Sequence, residues 1–385
     1  MNLELTKKEI LPPLKIVGGV IEAKQVMSIM SHYLLRAEGD VLTIIGGDNE
    51  VEMQHTVPVE TGNDFSVTLP RKVLDVIRSL PDGSDVSIKS KGDDSGQVVV
   101  ASGKSRFTLA TLSAEDYPNS PDIQASAPSK KKGKDKGDKG LVTQFTLPQA
   151  DLKTYLSRVA FCIASNDVRY YLMGVKLELH DDQLSLAATD GHRLAVASAE
   201  LETNSTGDID VIVPRKAVLE LLKLLGDEGE VTVLCSPTHC KFIIRDNLTL
   251  VSKLIDGSYP DWQSVIPQNA GMLVVADTAQ LKQAIQRVML LSNEKYKGVR
   301  LTLGENLLTL NARNPNQEEA SEELEVVYTG DALEIGFNGQ YLLEVLSTIP
   351  TAKTRLAFTD SNSSVLITPP DDQRLMQWIV MPMRL

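Results

Sequence analysis

The stretch Val213–Gly226, VPRKAVLELLKLLG, has two counterparts in the chain: LPRKVLDVIRSLP at Leu69–Pro81 and FNGQYLLEVLSTIP at Phe337–Pro350. In the first, Val218, Leu221, Leu222 and Leu225 recur at i, i+3, i+4 and i+7, the spacing of one apolar helix face. Pro70 and Pro214 fall where the first turn of a helix accepts proline, each with two basic residues behind it. A strand-like run precedes every copy (Phe65–Thr68, Asp210–Val213, Leu333–Gly336) and another follows it (Asp85–Ser90, Glu230–Leu234, Thr354–Phe358). Strand, helix, strand is the repeated unit.

A second helical phrase recurs upstream of each copy, at Leu5–Ile21, Leu147–Ile163 and Ala276–Ser292. Thr6 and Glu9 form the pattern of a capping box. Pro12-Pro13 argues against helix in the later half of that first phrase, and its two counterparts argue for it. Strand pairs follow all three phrases, starting at Val41, Gln183 and Asn306; the offsets are 142 and 123 positions, and a linker insertion accounts for the difference. The pattern predicts an α+β protein of three repeated domains, each with two helices packed on two small antiparallel sheets. The boundaries fall at 1–124, 141–266 and 267–385. Between the first two lies ASAPSKKKGKDKGDKG, residues 125–140, with six lysines and no aliphatic side chain larger than alanine. Too apolar-poor to offset its ordering entropy, it reads as a flexible tether; the same lysines could also touch a phosphate backbone.

Composition narrows the function. With 385 residues, 42% hydrophobic and 23% charged, the chain has the make-up of a soluble multidomain protein. No run approaches the roughly 18 apolar residues of a membrane span, and MNLELTKKEI lacks the apolar core of a signal peptide. Cys162, Cys235 and Cys240 are too few for a disulfide framework and read as thiols in a reducing cytoplasm. A net charge of −12 speaks at face value against a nucleic-acid partner. Its distribution reverses that reading. The six helical phrases hold thirteen basic and six acidic residues, a net +7, which leaves −19 for the rest of the chain. Equivalent helices of one sign could form a single basic surface, or simply be solvated faces. The Phe337–Pro350 phrase has no basic residue, so such a surface would be uneven.

Chemistry-bearing clusters are sparse. Asp190 and His192 stand together in ATDGHRLAV (Ala188–Val196), which would suit a general base in a DNA-acting hydrolase, but the segment reads as a turn between strands with no nucleophile beside it. Cys235, His239 and Cys240 lack the second ligand pair of a zinc site. Neither a G-x-x-x-x-G-K-[ST] loop nor a G-x-G-x-x-G fingerprint occurs. The residues predict no enzyme, no cofactor and no metal.

ATDGHRLAV, DVRYYLMGV (Asp167–Val175), LSNEKYKGVRL (Leu291–Leu301) and the terminal VMPMRL together resemble the bacterial DNA polymerase III beta subunit family, the replicative sliding clamps. The similarity runs from the first helix to Leu385, interrupted by the lysine-rich stretch. The resemblance implies a head-to-tail homodimer of three-domain subunits, a six-domain ring around double-stranded DNA that confers processivity on the polymerase. It implies DNA contacts at Lys24, Asn166, Arg169, Tyr170 and Tyr171, with Lys24 and Asn166 departing from the family's usual arginine and glutamine. Weak, sequence-independent phosphate contacts of that kind permit sliding.

The resemblance also implies a subunit contact in which Gly103–Leu109 adds its strand to the partner's third domain. There Phe107 and Leu109 would pack near Leu290 and Leu291, with Lys104 and Arg106 facing Glu318, Glu319, Glu322 and Glu323. Lastly it implies a pocket between the second and third domains for glutamine-containing, apolar peptides. The partners would be the replicative polymerase catalytic subunit, the clamp loader and repair polymerases or other repair proteins. The pocket positions are Leu172, Thr189, Gly191, His192, Arg193, Leu194, Pro260, Val265, Tyr296, Asn338, Tyr341, Ser364 and the tail Val380, Met381, Pro382, Met383, Arg384 and Leu385. Ser264 and Asn362 depart from the family pattern at the rim and bear on peptide preference. No membrane association is implied, and the location would be the bacterial cytoplasm.

Overall fold

The computed structural model describes every residue except 61–62, 92–95, 119, 125–141, 202–204, 269, 372–374 and 385. The tether at 125–140 and the terminal Leu385 therefore lie outside the described residues.

One order of elements is written three times. The first third holds β1 (Asn2–Thr6), α1 (Lys7–Val17), β2 (His32–Glu38), β3 (Val41–Gly47), β4 (Val51–Pro58), β5 (Phe65–Pro70), α2 (Val73–Ser79), β6 (Asp85–Ser90), β7 (Gln97–Ser102) and β8 (Ser105–Ala110). The second holds β9 (Thr143–Pro148), α3 (Gln149–Val159), β10 (Gly174–His180), β11 (Gln183–Thr189), β12 (Arg193–Glu200), β13 (Ile209–Pro214), α4 (Arg215–Leu224), β14 (Glu230–Cys235), β15 (His239–Arg245) and β16 (Leu248–Lys253). The third holds β17 (Met272–Asp277), α5 (Thr278–Met289), β18 (Gly298–Gly304), β19 (Leu307–Arg313), β20 (Glu319–Glu325), β21 (Leu333–Asn338), α6 (Gly339–Thr348), β22 (Lys353–Phe358), β23 (Val365–Thr368) and β24 (Met376–Val380).

The sheets do not respect those thirds, which corrects the expectation of two small sheets per repeat. The chain divides into two compact units, and the second third contributes to both. One unit contains the sheet β1-β6-β7-β8 and the eight-stranded sheet β5-β2-β3-β4-β16-β15-β14-β9. The other contains the eight-stranded sheet β13-β10-β11-β12-β24-β23-β22-β17 and the sheet β20-β19-β18-β21. The fusion points are antiparallel pairs between the fourth strand of one third and the eighth strand of the next: β4 with β16, where Leu248 faces His55, and β12 with β24, where Arg193 faces Val380. Pairing of this kind satisfies backbone groups that two free edges would otherwise expose.

Local chemistry explains the elements. The Thr6 backbone N–H and hydroxyl both donate to the Glu9 carboxylate at 2.7 Å, closing the first turn of α1. The helix runs on through Pro12 and Pro13 to Val17, because Ile10, Pro13, Leu14 and Val17 bury one face and outweigh two missing N–H donors. Pro70 and Pro214 are corrected: they end β5 and β13, both edge strands, where a proline needs no ladder partner, and the helices start after them. Gln149 opens α3 with a buried amide that donates to the carbonyls of Ile244 (2.6 Å) and Glu230 (3.1 Å) and accepts from the Gly226 N–H (2.8 Å). Gln149→Leu should cost about 3 kcal/mol by stranding these interior groups. Chemical denaturation would register the loss, and an unchanged midpoint would show that the groups find other partners.

Cys235 and Cys240, expected as thiols, are joined by a disulfide, because the β14–β15 hairpin sets them opposite each other with Cα atoms 4.4 Å apart. Cys162 is a free thiol, and burial pushes its pKa up.

Candidate functional site

The expected basic helix faces are thinner than their residue count. Lys7 is buried, donating to the Leu80 carbonyl (2.5 Å) and to Asp82 (2.8 Å). Lys216 pairs with Asp48 and, at 2.5 Å, with Glu22. Lys8, Lys15, Arg71, Lys72, Arg78, Lys223 and Arg287 remain exposed. Of the residues expected to meet DNA, Lys24 is exposed in the loop after α1, and Asn166 is exposed with φ 56°, a left-handed conformation asparagine tolerates. Arg169 is held by its neighbours: Nε and Nη2 donate to Asp167 at 3.0 and 2.7 Å, and Nη2 also donates to the Asp190 carbonyl at 3.1 Å. Hydrogen bonds from Arg169 hold the Asp167 carboxyl down to about 2. Tyr170 is 53% exposed, whereas Tyr171 is half-buried and packs against the apolar cluster below it.

The turn between β11 and β12 is held by a dense set of hydrogen bonds. The Thr189 hydroxyl donates to the Arg193 carbonyl at 2.6 Å, and its N–H donates to the Tyr259 hydroxyl oxygen at 3.0 Å. Gly191 sits at φ +86°, a left-handed conformation that favours glycine, and a Cβ there would lie 2.9 Å from an Arg169 guanidinium nitrogen. Asp190 accepts from the N–H groups of His192 (2.9 Å) and Arg193 (3.1 Å) and from Arg193 Nε (3.1 Å). Its carboxylate is a structural fastener, which removes the basis for a general-base reading with His192. The His192 ring stacks on Tyr341 of α6 at 6.2 Å instead.

Beneath the turn, Leu172, Leu194, Ile379, Tyr259 and Trp262 form one buried cluster, against which Tyr171 and Ile266 pack. Leu172 and Leu194 thus form the floor, with their side chains almost wholly covered. Val380, also buried, faces both Arg193 and Val365, next to the half-buried Ser364. The tail is pinned twice: the Met381 N–H donates to the His192 carbonyl at 2.9 Å, and the Met383 N–H donates to the Gly336 carbonyl at 2.8 Å. Between them Pro382 is half-buried and Met381 is 39% exposed. Tyr296, Met383 and Arg384 share a groove of about 720 Å³ that runs onto the outer face of β18 and β19. Pro260 and Val265 are exposed, as are Ser264 and Asn362. The Asn338 side chain caps α6 by accepting from the Gln340 N–H at 2.9 Å. Phe161 and Glu344, which the sequence did not single out, flank Arg193.

The expected subunit-contact residues lie on two sheet edges. β8 is the outer strand of its sheet, with Lys104 and Arg106 exposed and Phe107 half-buried; Leu109 is corrected to a core residue of its own unit, 5% exposed. β20 is the outer strand of the other four-stranded sheet, with Glu319 exposed. Glu322 is corrected in part: Arg287 of α5 already holds it bidentately, Nε at 2.8 Å. Leu290 is 81% exposed and Leu291 half-buried beyond α5. Among the described residues no group of His, Cys, Asp and Glu could hold a metal ion, and no helix is long and apolar enough to cross a membrane.

Three family models match the chain in succession: the N-terminal domain of the DNA polymerase III beta subunit over residues 1–121, its central domain over 146–261 and its C-terminal domain over 263–384. Over the full length of both chains, the sequence is 40% identical to the beta sliding clamp of Pseudomonas aeruginosa and 38% identical to that of Escherichia coli. The crystal structure of a Pseudomonas aeruginosa DNA polymerase sliding clamp with ligand superposes at a TM-score of 0.91, with 40% identity and complete coverage of both chains.

Proposed function

The chain belongs to the DNA polymerase III beta subunit family, and on that premise we propose that two copies close head to tail into a ring around double-stranded DNA. Its role is that of the family, a non-catalytic sliding clamp that confers processivity on the replicative polymerase. The observation that carries the ring is the series of strand pairings. β4, β12 and β20 are equivalent strands of the three thirds, and so are β16, β24 and β8. Within the chain β4 pairs with β16 and β12 with β24, while β20 and β8 are left as outer strands. The third member of the series, β20 with β8, is then made with a second copy. A contact between unlike surfaces that closes after two subunits gives a finite ring in which β8 and β20 are no longer open edges.

The register follows from the first junction. Leu248 faces His55; by their hairpin positions Ser105 corresponds to Leu248, and Glu322 to His55. Ser105 of one copy is therefore set opposite Glu322 of the other, with Arg106 among Glu319, Glu322 and Glu323. Exposed ion pairs contribute only about 0–1 kcal/mol each, so strand pairing dominates and charge selects the register.

The domain division at 1–124, 141–266 and 267–385, with 125–140 as tether, is supported by the threefold element order and by the spans of the family matches. DNA contacts are assigned to Lys24, Asn166, Arg169, Tyr170 and Tyr171, and the chain is placed in the cytoplasm of a bacterium. The floor, turn and tail of the second unit are assigned as the pocket for peptides of the polymerase, the clamp loader and repair proteins. Methionines there suit several ligands, because their flexible side chains repack. Removing Met381–Leu385 should weaken a polymerase-derived peptide by tenfold or more, since each apolar side chain buried against it contributes about 1.5–3 kcal/mol. The dimer should persist. Fluorescence titration checks this, and an unchanged affinity would remove the pocket assignment.

A further inference from the structure

We propose that Glu344 is a positioning residue for peptide binding: from α6, outside the pocket lining, it fixes Arg193 and thereby the shape of the wall that the peptide meets. The inference rests on the pocket assignment and adds a residue that the assignment does not contain. Arg193 is only 9% exposed, and each of its side-chain nitrogens already has an acceptor in the chain. Nε donates to Asp190 at 3.1 Å, Nη2 donates to the Phe161 carbonyl at 2.9 Å, and Nη1 donates to Glu344. Its guanidinium carbon also lies 5.2 Å from the ring centroid of Phe161 and 4.5 Å from that of Tyr341. Burial disfavours the Arg193 charge, but Cys162, the Glu344 hydrogen bond and the Glu344 and Asp190 carboxylates together outweigh it, and the pKa lies above its ordinary value. Arg193 thus acts inside the wall rather than on the ligand.

The two carboxylates beside Arg193 are not equivalent. Asp190 is fixed by the turn itself, through the His192 and Arg193 N–H groups. Glu344 comes from α6 and is oriented by Gln340, one turn earlier, whose amide donates to its other oxygen at 2.7 Å. It is the acceptor that ties the β11–β12 turn to the helix carrying Tyr341. Without it, one corner of a buried guanidinium loses its partner, and the cation leaves the face of Tyr341. The His192–Tyr341 stack and the His192 carbonyl that anchors Met381 are then free to shift.

The test uses the full-length protein and a fluorescent synthetic peptide with one glutamine and two bulky apolar residues, titrated against the unaltered chain, Glu344→Ala and Glu344→Gln. Alanine should weaken the peptide by about tenfold or more, through faster dissociation, with dimer mass and retention on circular DNA unchanged. Glutamine keeps an acceptor oxygen for Arg193 and should recover affinity to within about threefold of the unaltered chain. Affinity unchanged in the alanine variant overturns the proposal. So does equal weakening in both variants, because that reports loosened packing rather than a lost acceptor. Failure of the unaltered chain to bind the peptide overturns the pocket assignment itself, and the proposal with it.

Discussion

Thr108→Pro should convert the protein from a dimer of twice 42.1 kDa into a 42.1 kDa monomer without unfolding it. In the β7–β8 hairpin a two-residue loop makes Ser102 and Ser105 the closing pair. Hydrogen-bonded positions alternate from there, so Ser105, Phe107 and Leu109 bond inward to β7, and the N–H groups of Arg106 and Thr108 point to the open edge. Proline at 108 removes an outward donor and leaves the inward ladder intact, which is where sheets tolerate it. In the dimer that donor faces β20 of the partner. Losing it, and placing the ring against the incoming strand, should cost about 3 kcal/mol, more than a hundredfold in dimer affinity. Reversing the charges of Lys104 and Arg106 should do much less, because exposed pairs contribute little. Sedimentation equilibrium across a concentration series distinguishes the variants. A proline variant that dimerises like the unaltered chain, with the same thermal midpoint, would refute the β8–β20 interface.

The repeat that leads to this interface was legible in the sequence because helix periodicity and cap chemistry are local. The helix after Pro214, the Thr6–Glu9 cap and the hairpin around Asp190 all follow from residues within a few positions of one another. What the sequence hid was non-local. Nothing in Val51–Pro58 or Leu248–Lys253 says that they pair, since two half-buried strands carry the same alternation whether their neighbour lies in the same third or the next. The cysteine hairpin failed for a related reason. A spacing of five residues reads as weak for zinc, and only the register of β14 on β15 sets Cys235 against Cys240.

The site shows the same division. The turn within Ala188–Val196 was readable, because it falls between two strand-like runs. The family resemblance supplied Arg193 but not its surroundings. Glu344 lies three residues after Tyr341 on α6, so a shared helix face could be read from the sequence, yet its partner is 151 positions away. Lys7 and Lys216 show the limit of a charge count, because a lysine satisfying buried acceptors is no longer surface charge. A sign map drawn from sequence therefore overstates any basic surface. For a ring that matters little, since enclosure, not phosphate affinity, would do the holding.

That distinction yields the sharpest expectation. A protein held on DNA by six to ten phosphate contacts loses about 10³–10⁵ in affinity between 50 and 200 mM salt, because released counterions are no longer a driving force. A closed ring on circular DNA has no such route of escape. Once loaded by a clamp loader onto a nicked circle, the protein should stay bound when salt is raised, until the subunits themselves part. Cutting the circle should then release it rapidly, by sliding off the new ends. Thr108→Pro should be lost from the circle without cutting, which connects the topological hold to the β8–β20 closure in a single assay. Gel filtration of labelled protein on circular and linearised DNA reads all three states. Salt-induced loss from the intact circle, under conditions where the dimer persists, would refute enclosure. Retention on a linear duplex with both ends free would do the same, because a ring that slides cannot remain where nothing blocks its exit.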